Sequence, residues 1–218
     1  LYSHRSTTLH ALVAVMPDCL GLSERDCVMP VVPMFHANAW GLPQMCALTG
    51  AKVVLPGPKL DPVSLLDLIV AEKVTIAAGV PTIWLGILAA LDAEPKRWDL
   101  SSVRSTIVGG SAAPPAMMEG FQKRHGIEVV HAWGMTELNP LGTLARVKRH
   151  LRGDPAREAK LKSTQGYAVP FVELRHVDDA GHVLPRDNAT MSELEYRGAW
   201  VAGSYFGDEG KNHFTKNN

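Results

Sequence analysis

Apolar residues along this chain fall into short runs separated by longer segments with helical spacing. CVMPVVP (27–33), AKVVLP (51–56), VTIAAG (74–79), VRSTIVGG (103–110) and IEVVHAWG (127–134) are the short runs, each read as a strand. Between them lie the helical candidates. Residues 7–20 are apolar at helical spacing, and residues 37–48 read as one helix. DPVSLLDLIVAEK opens with Asp61 as an N-cap and Pro62 at the first helical position. TIWLGILAALDAE sets Ile83, Ile87, Leu88 and Leu91 on one face, and PPAMMEGFQKRHG starts on prolines and stops at Gly126. Repeated strand–helix units with apolar strands predict an α/β fold, a mostly parallel sheet with helices on both faces.

The texture changes after about residue 142. Residues 146–162 are charged and lack an apolar stripe, which predicts a solvated loop, with attraction of a nucleotide phosphate tail as the functional reading. From VPFVELRHVD onward the apolar positions alternate with period two around the turn DDAG, the mark of a small antiparallel β subdomain. The expected organisation is therefore an α/β core over 1–145, a charged connector over 146–167 and the start of a β-rich subdomain over 168–218. VTIAAGVPTIWLGILAAL (74–91) carries no charge and is just long enough to cross a bilayer. Gly79 and Pro81 in its first half read better as a buried strand turning into a helix, so no transmembrane segment is expected.

Composition narrows the classes of partner. In 218 residues there are 22 Lys plus Arg and 22 Asp plus Glu, so nothing pulls the chain as a whole toward nucleic acid. Cys19, Cys27 and Cys46 are odd in number and show no CxxC spacing, which favours reduced thiols and a cytoplasmic location. The first residues, LYSHRS, lack a signal-peptide pattern and begin mid-pattern without Met, as an internal fragment would.

In an open parallel sheet, ligands bind beyond the carboxyl ends of the strands. Three segments arrive there: VPMFHANAWG, VGGSAAPP and HAWGMTE. Gly109 and Gly110 let a planar ring or a phosphate approach closely, or simply make a tight strand-to-helix turn. Trp133 could lie against a base with Thr136 donating to an anionic oxygen, or be a buried Trp before a Thr/Glu helix start. Glu137 is a hard oxygen ligand suited to magnesium shared with substrate phosphates. His36 and Trp40 stand four residues apart, on one face if helical, and the same pair fits a core Trp beside a hydrogen-bonded His. No carboxylate neighbours His36, and His and Cys do not cluster at metal-ligand spacing.

In this order, PMFHANAWG, VGGSAAPP, HAWGMTE and SELEYRGAWVAGSYF resemble the motifs of the adenylate-forming superfamily of acyl-CoA synthetases, luciferases and peptide-synthetase adenylation domains. Within it the chain is most similar to bacterial medium- and long-chain fatty acid CoA ligases. The resemblance implies a two-step activity. A carboxylate attacks the α-phosphate of ATP to leave an acyl adenylate and pyrophosphate, and the thiol of coenzyme A then displaces AMP. It implies ATP, magnesium, coenzyme A and a small-molecule carboxylic acid as the ligands, and it is compatible with a homodimer. Thr136, Glu137 and His36 take the catalytic positions, with Glu137 the metal ligand. Gly110, Ser111, Ala112, His131, Ala132, Trp133, Gly134, Met135 and Thr136 take the nucleotide positions. His36, Trp40 and Gly110 take the acyl positions. His131 and Ala132 depart from the family's usual Gln or Gly and Gly, and Trp133 stands where Tyr is usual.

The resemblance also marks what is missing: the phosphate loop ending in Pro-Lys-Gly, the Thr-Gly-Asp that holds the ribose, and the Lys of the C-terminal domain. A chain without them is expected to make no acyl adenylate alone. Three rivals stay open. An aryl acid is one substrate alternative. An amino-acid adenylation domain is another, disfavoured because His36 stands where such domains usually place an Asp, and an unpaired buried ammonium is costly. A non-catalytic nucleotide-binding fragment is the third.

Overall fold

The computed structural model describes residues 1–187, 189–208 and 214. Helix α1 (His4–Ala14) leads into β1 (Cys27–Pro30), followed by a left-handed helical turn α2 (Ala37–Trp40) and helix α3 (Leu42–Thr49). Strand–helix units follow: β2 (Lys52–Val53), α4 (Pro62–Glu72), β3 (Ile76–Gly79), α5 (Pro81–Ala93), β4 (Ser105–Val108), α6 (Pro115–His125) and β5 (Glu128–Gly134). Then come β6 (Leu141–Leu144), α7 (Pro155–Lys162) and β7 (Tyr167–Ala168), and last β8 (Val172–Val177) and β9 (Glu193–Gly198).

One sheet runs β2-β1-β3-β4-β5-β6-β7, and β8 pairs with β9 in a second. The strands from β2 to β5 are parallel, and β6 and β7 join antiparallel. This is the expected α/β class: a mostly parallel sheet flanked by helices, beside a small antiparallel sheet. Strands β1, β3 and β4 are buried at every position, which is why they read as unbroken apolar runs. One face of the sheet packs Leu65, Leu66 and Ile69 of α4, Trp84 and Ile87 of α5 and Phe121 of α6. The other packs Ala11 and Val13 of α1 and Leu42, Met45 and Cys46 of α3. Burying each such large side chain contributes roughly 1.5–3 kcal/mol. The helix starts follow their signals: the Asp61 carboxylate accepts the Ser64 N–H at 3.0 Å, with Pro62 in the first turn.

The structure corrects several expectations. Residues 37–48 are not one helix. Ala37, Asn38, Ala39 and Trp40 all have positive φ, from 46° to 58°, so this turn is left-handed and α3 begins anew at Leu42. A single helix would place Pro43 in its interior, where it removes a hydrogen bond and clashes with the preceding turn, whereas the new start holds it in the first turn. Residues 146–162 are not simply a loop. Asp154 accepts the Ala156 and Arg157 N–H groups and Pro155 opens α7, with Glu158 in its first turn and Lys160 and Lys162 in its last. No residue of α7 is buried, so no apolar stripe could announce it. Strands β6 and β7 extend the main sheet beyond the five predicted runs. In AKVVLP only Lys52 and Val53 pair.

The stretch over 74–91 is β3 running into α5, and no helix among the described residues is long and apolar enough to cross a membrane. The three cysteines are buried and unpaired. The end of the expected β-rich segment, including all of FTKNN but Phe214, lies outside the described residues.

Candidate functional site

The site forms where β4 and β5 end. Strand β4 gives way to Gly109 and Gly110, and Gly110 turns the chain at φ +81°, a conformation that side chains with Cβ rarely adopt. Strand β5 continues to Gly134 and shifts register between Trp133 and Gly134 as it meets β6. A Cβ on Gly134 would lie 2.0 Å from the Pro140 carbonyl oxygen, so glycine is what allows the chain to fold back this closely. Between these strands sits a 3-10 turn, Thr136–Leu138. Its entry is closed by the Met135 N–H donating to the Pro140 carbonyl at 3.0 Å.

Distant segments hold that turn. The Tyr2 hydroxyl donates to the Thr136 carbonyl at 2.7 Å. The Ala202 N–H donates to the Glu137 carbonyl at 2.7 Å, and the Tyr205 hydroxyl donates to Glu137 Oε1. The bond to Glu137 pushes the Tyr205 phenol above its ordinary pKa, so it stays a donor at neutral pH. Burial, and then the Glu137 charge, raise Tyr2 in the same direction.

A cavity of about 320 Å³ opens in front of the turn. Leu20, Leu42, Met45 and Ile107 form its apolar depth, and Thr136 and Glu137 its polar end. The left-handed turn lays Trp40 across Gly109, where an added Cβ would come 3.2 Å from the indole. A second cavity of about 240 Å³ lies beside it, lined by Gly110, Ser111, Ala112, Ala132, Trp133, Gly134 and Gln165.

Of the residues singled out in the sequence, His36, Trp40, Gly110, Ala132, Trp133, Gly134, Met135, Thr136 and Glu137 line the first cavity. Gly110, Ser111, Ala112, Ala132, Trp133 and Gly134 line the second. His36 and Trp40 reach the cavity from a left-handed turn rather than from one face of a right-handed helix. Trp133 has one face taken: Tyr196 of β9 stacks on it with centroids 5.0 Å apart and planes 18° from parallel. His131 lines neither cavity. Its ring is 1% exposed with Nδ1 unpartnered among the described residues, and burial lowers its pKa against the opposing effect of the Thr164 and Ser111 backbone. Gln165, Tyr2, Tyr196 and Tyr205 were not anticipated, because each reaches the site from far along the chain.

No cluster of three His, Cys, Asp or Glu side chains exists among the described residues. Among the described residues, Glu137 is the one carboxylate lining either cavity. That donor set does not suit a metal caged by protein alone. It fits magnesium, which is commonly held by one or two carboxylates together with substrate phosphates.

Two cavities that share lining residues at the strand ends of a mixed sheet stand where open α/β folds hold their ligands. The chain belongs to the AMP-binding enzyme family, which matches residues 1–206. It is 50% identical over 207 residues to a 3-methylmercaptopropionyl-CoA ligase of Ruegeria pomeroyi, covering 94% of this chain and 38% of that protein. A medium-chain fatty acid–CoA ligase of Ectopseudomonas oleovorans is 48% identical over the same shares of the two chains, 94% and 38%. In structure, the chain resembles an O-succinylbenzoate coenzyme A synthetase of Bacillus subtilis solved with ATP and a magnesium ion. The TM-score is 0.79 and the identity 23%, with 99% of this chain and 42% of that one covered. The chain thus spans 38% of the length of both curated relatives.

Proposed function

We propose that this chain is part of an AMP-forming acid–thiol ligase that activates a fatty acid with ATP to an acyl adenylate and passes the acyl group to coenzyme A. One observation carries the reading. An apolar pocket meets, at one end, a hydroxyl and a carboxylate, with a near-bare glycine backbone alongside. An acyl chain needs the first, and a nucleotide phosphate the second. The names of the relatives, both acyl-CoA ligases, support the same substrate class.

In this reading the backbone of Gly110, Ser111 and Ala112 borders the adenine, which lies against Trp133. Thr136 donates its hydroxyl to the α-phosphate. His36 and Trp40 flank the acyl carbonyl and the start of the acyl chain. His131, beneath the strand end, acts by shaping the backbone rather than by touching the base. Glu137 holds magnesium, which when bound supplies charge neutralisation on the phosphates. The residues of this chain act by positioning and by excluding water, which suits a reaction in which charge moves between oxygens with little covalent help from the protein. The organisation into a core over 1–145, a connector over 146–167 and a β-rich segment beyond remains our division of the chain, and the cytoplasm our compartment.

The test is Glu137→Gln in the complete protein. Removing an interaction that strengthens in the transition state lowers turnover more than substrate binding. ATP–pyrophosphate exchange should fall by about 100-fold or more with little change in fatty acid affinity. Unchanged exchange would overturn the metal role of Glu137.

A further inference from the structure

We propose that Tyr205 is a positioning residue for the metal: its hydroxyl fixes one oxygen of Glu137 so that the other is presented to a divalent cation carried by the nucleotide. This rests on the reading of Glu137 as the metal-holding carboxylate.

The geometry is a two-point grip. Ala202 donates its N–H to the main chain of Glu137 at 2.7 Å, and three residues later Tyr205 donates its hydroxyl to Oε1 of the same residue. One short segment therefore sets both where the Glu137 backbone lies and how its carboxylate is turned. An ionised carboxylate accepts through two oxygens, each with two lone pairs, so one donor on Oε1, the one side-chain donor to Glu137 among the described residues, leaves Oε2 for a cation. The tyrosine ring is half-buried, with its centroid 5.2 Å from that of Phe214 and the planes at 75°, an edge-to-face contact that does not involve the hydroxyl. The hydroxyl can thus be removed with the ring's packing retained. Partners of this kind orient a ligating carboxylate, and losing one typically weakens metal affinity or activity by about 10–100-fold.

The experiment uses the complete enzyme with Mn²⁺, a hard cation that takes the same oxygen ligands and whose binding with ATP is read directly by water-proton relaxation. Tyr205→Phe should weaken Mn²⁺ binding in the presence of ATP by about 10–100-fold. ATP binding without metal and the KM for fatty acid should stay unchanged, and turnover should recover as metal is raised. Unchanged Mn²⁺ affinity would overturn the proposal, and so would tighter binding, which would make Tyr205 a competitor of the metal. In a Glu137→Gln background Tyr205→Phe should add no further loss, since both act through one carboxylate. An equal loss there would mean that the hydroxyl acts elsewhere, and would also refute the proposal. Glu137→Gln alone separates the two claims. If it weakens Mn²⁺ binding while Tyr205→Phe does not, only the role of Tyr205 fails. If it has no effect, the metal reading fails and the proposal with it.

Discussion

The parallel and antiparallel parts of this molecule reach the same cavity by different means. Strands β1, β3 and β4 are buried at every position and sandwiched between helices, so burial on both faces holds them. In β8 and β9 most positions face solvent at least in part, and the pair is held by cross-strand contacts such as Arg175 with Glu195 and Arg197 with Glu173. The buried half contributes backbone to the site, at Gly109, Gly110 and the end of β5. The exposed half and the residues after it contribute side-chain support: Tyr196 behind Trp133, Trp200 under Leu141, and Tyr205 on Glu137. The rigid layer makes the floor of the site, and the second layer orients what stands on it.

That contrast breaks most sharply at Trp84. Its indole is fully buried, donates to the Gly79 carbonyl at 3.1 Å and meets Phe121 edge-on. Trp84→Ala should cost about 3–5 kcal/mol in urea unfolding. A loss near 1 kcal/mol would mean that the parallel half is far more accommodating than its burial implies.

His10 tests the seam between the halves. Its Nε2 accepts the Leu141 N–H at 3.4 Å, and its ring lies edge-on to Trp200. Burial lowers its pKa from 6.5 to about 4. The folded state therefore resists a proton that the unfolded chain accepts. This contribution is complete above pH 6.5 and disappears as pH falls from 6.5 toward 4, about 3 kcal/mol in all. Unfolding measured across that window should show the slope in the native chain, and His10→Gln should flatten it.

Smaller effects belong to the exposed side. Asp154→Ala removes the cap of α7 and should cost about 1 kcal/mol, read as a lower unfolding midpoint. Glu173→Ala breaks a solvent-exposed cross-strand pair and should change stability by no more than about 1 kcal/mol, less still at high salt. If the last two changes matched that at Trp84, the distinction between the halves would collapse.

The same contrast explains what could be read in advance. Runs such as VTIAAG announce themselves because burial on both faces leaves no polar position to interrupt them. Asp61 with Pro62, and Gly126, announce helix ends through local chemistry. The glycines after β4 and the turn after β5 were legible for the same reason. The left-handed turn at Ala37–Trp40 was not, since single residues seldom enter that region and a run of four has no sequence signature. Helix α7 offered a cap and a proline but no apolar face. Tyr2 and Tyr205 meet the site across 134 and 68 residues, a pairing that no local periodicity encodes.

Those separations also order events during synthesis. Synthesis from the N-terminal side makes Tyr2 before the Thr136–Glu137 turn, and residue 144 completes the strands on either side of that turn. Tyr205 follows Glu137 by 68 positions. Until residue 205 has been added, Glu137 lacks the hydroxyl donor to its carboxylate, whatever the strands around it have done. The strands that frame the turn are thus synthesised before the residues that aim its carboxylate.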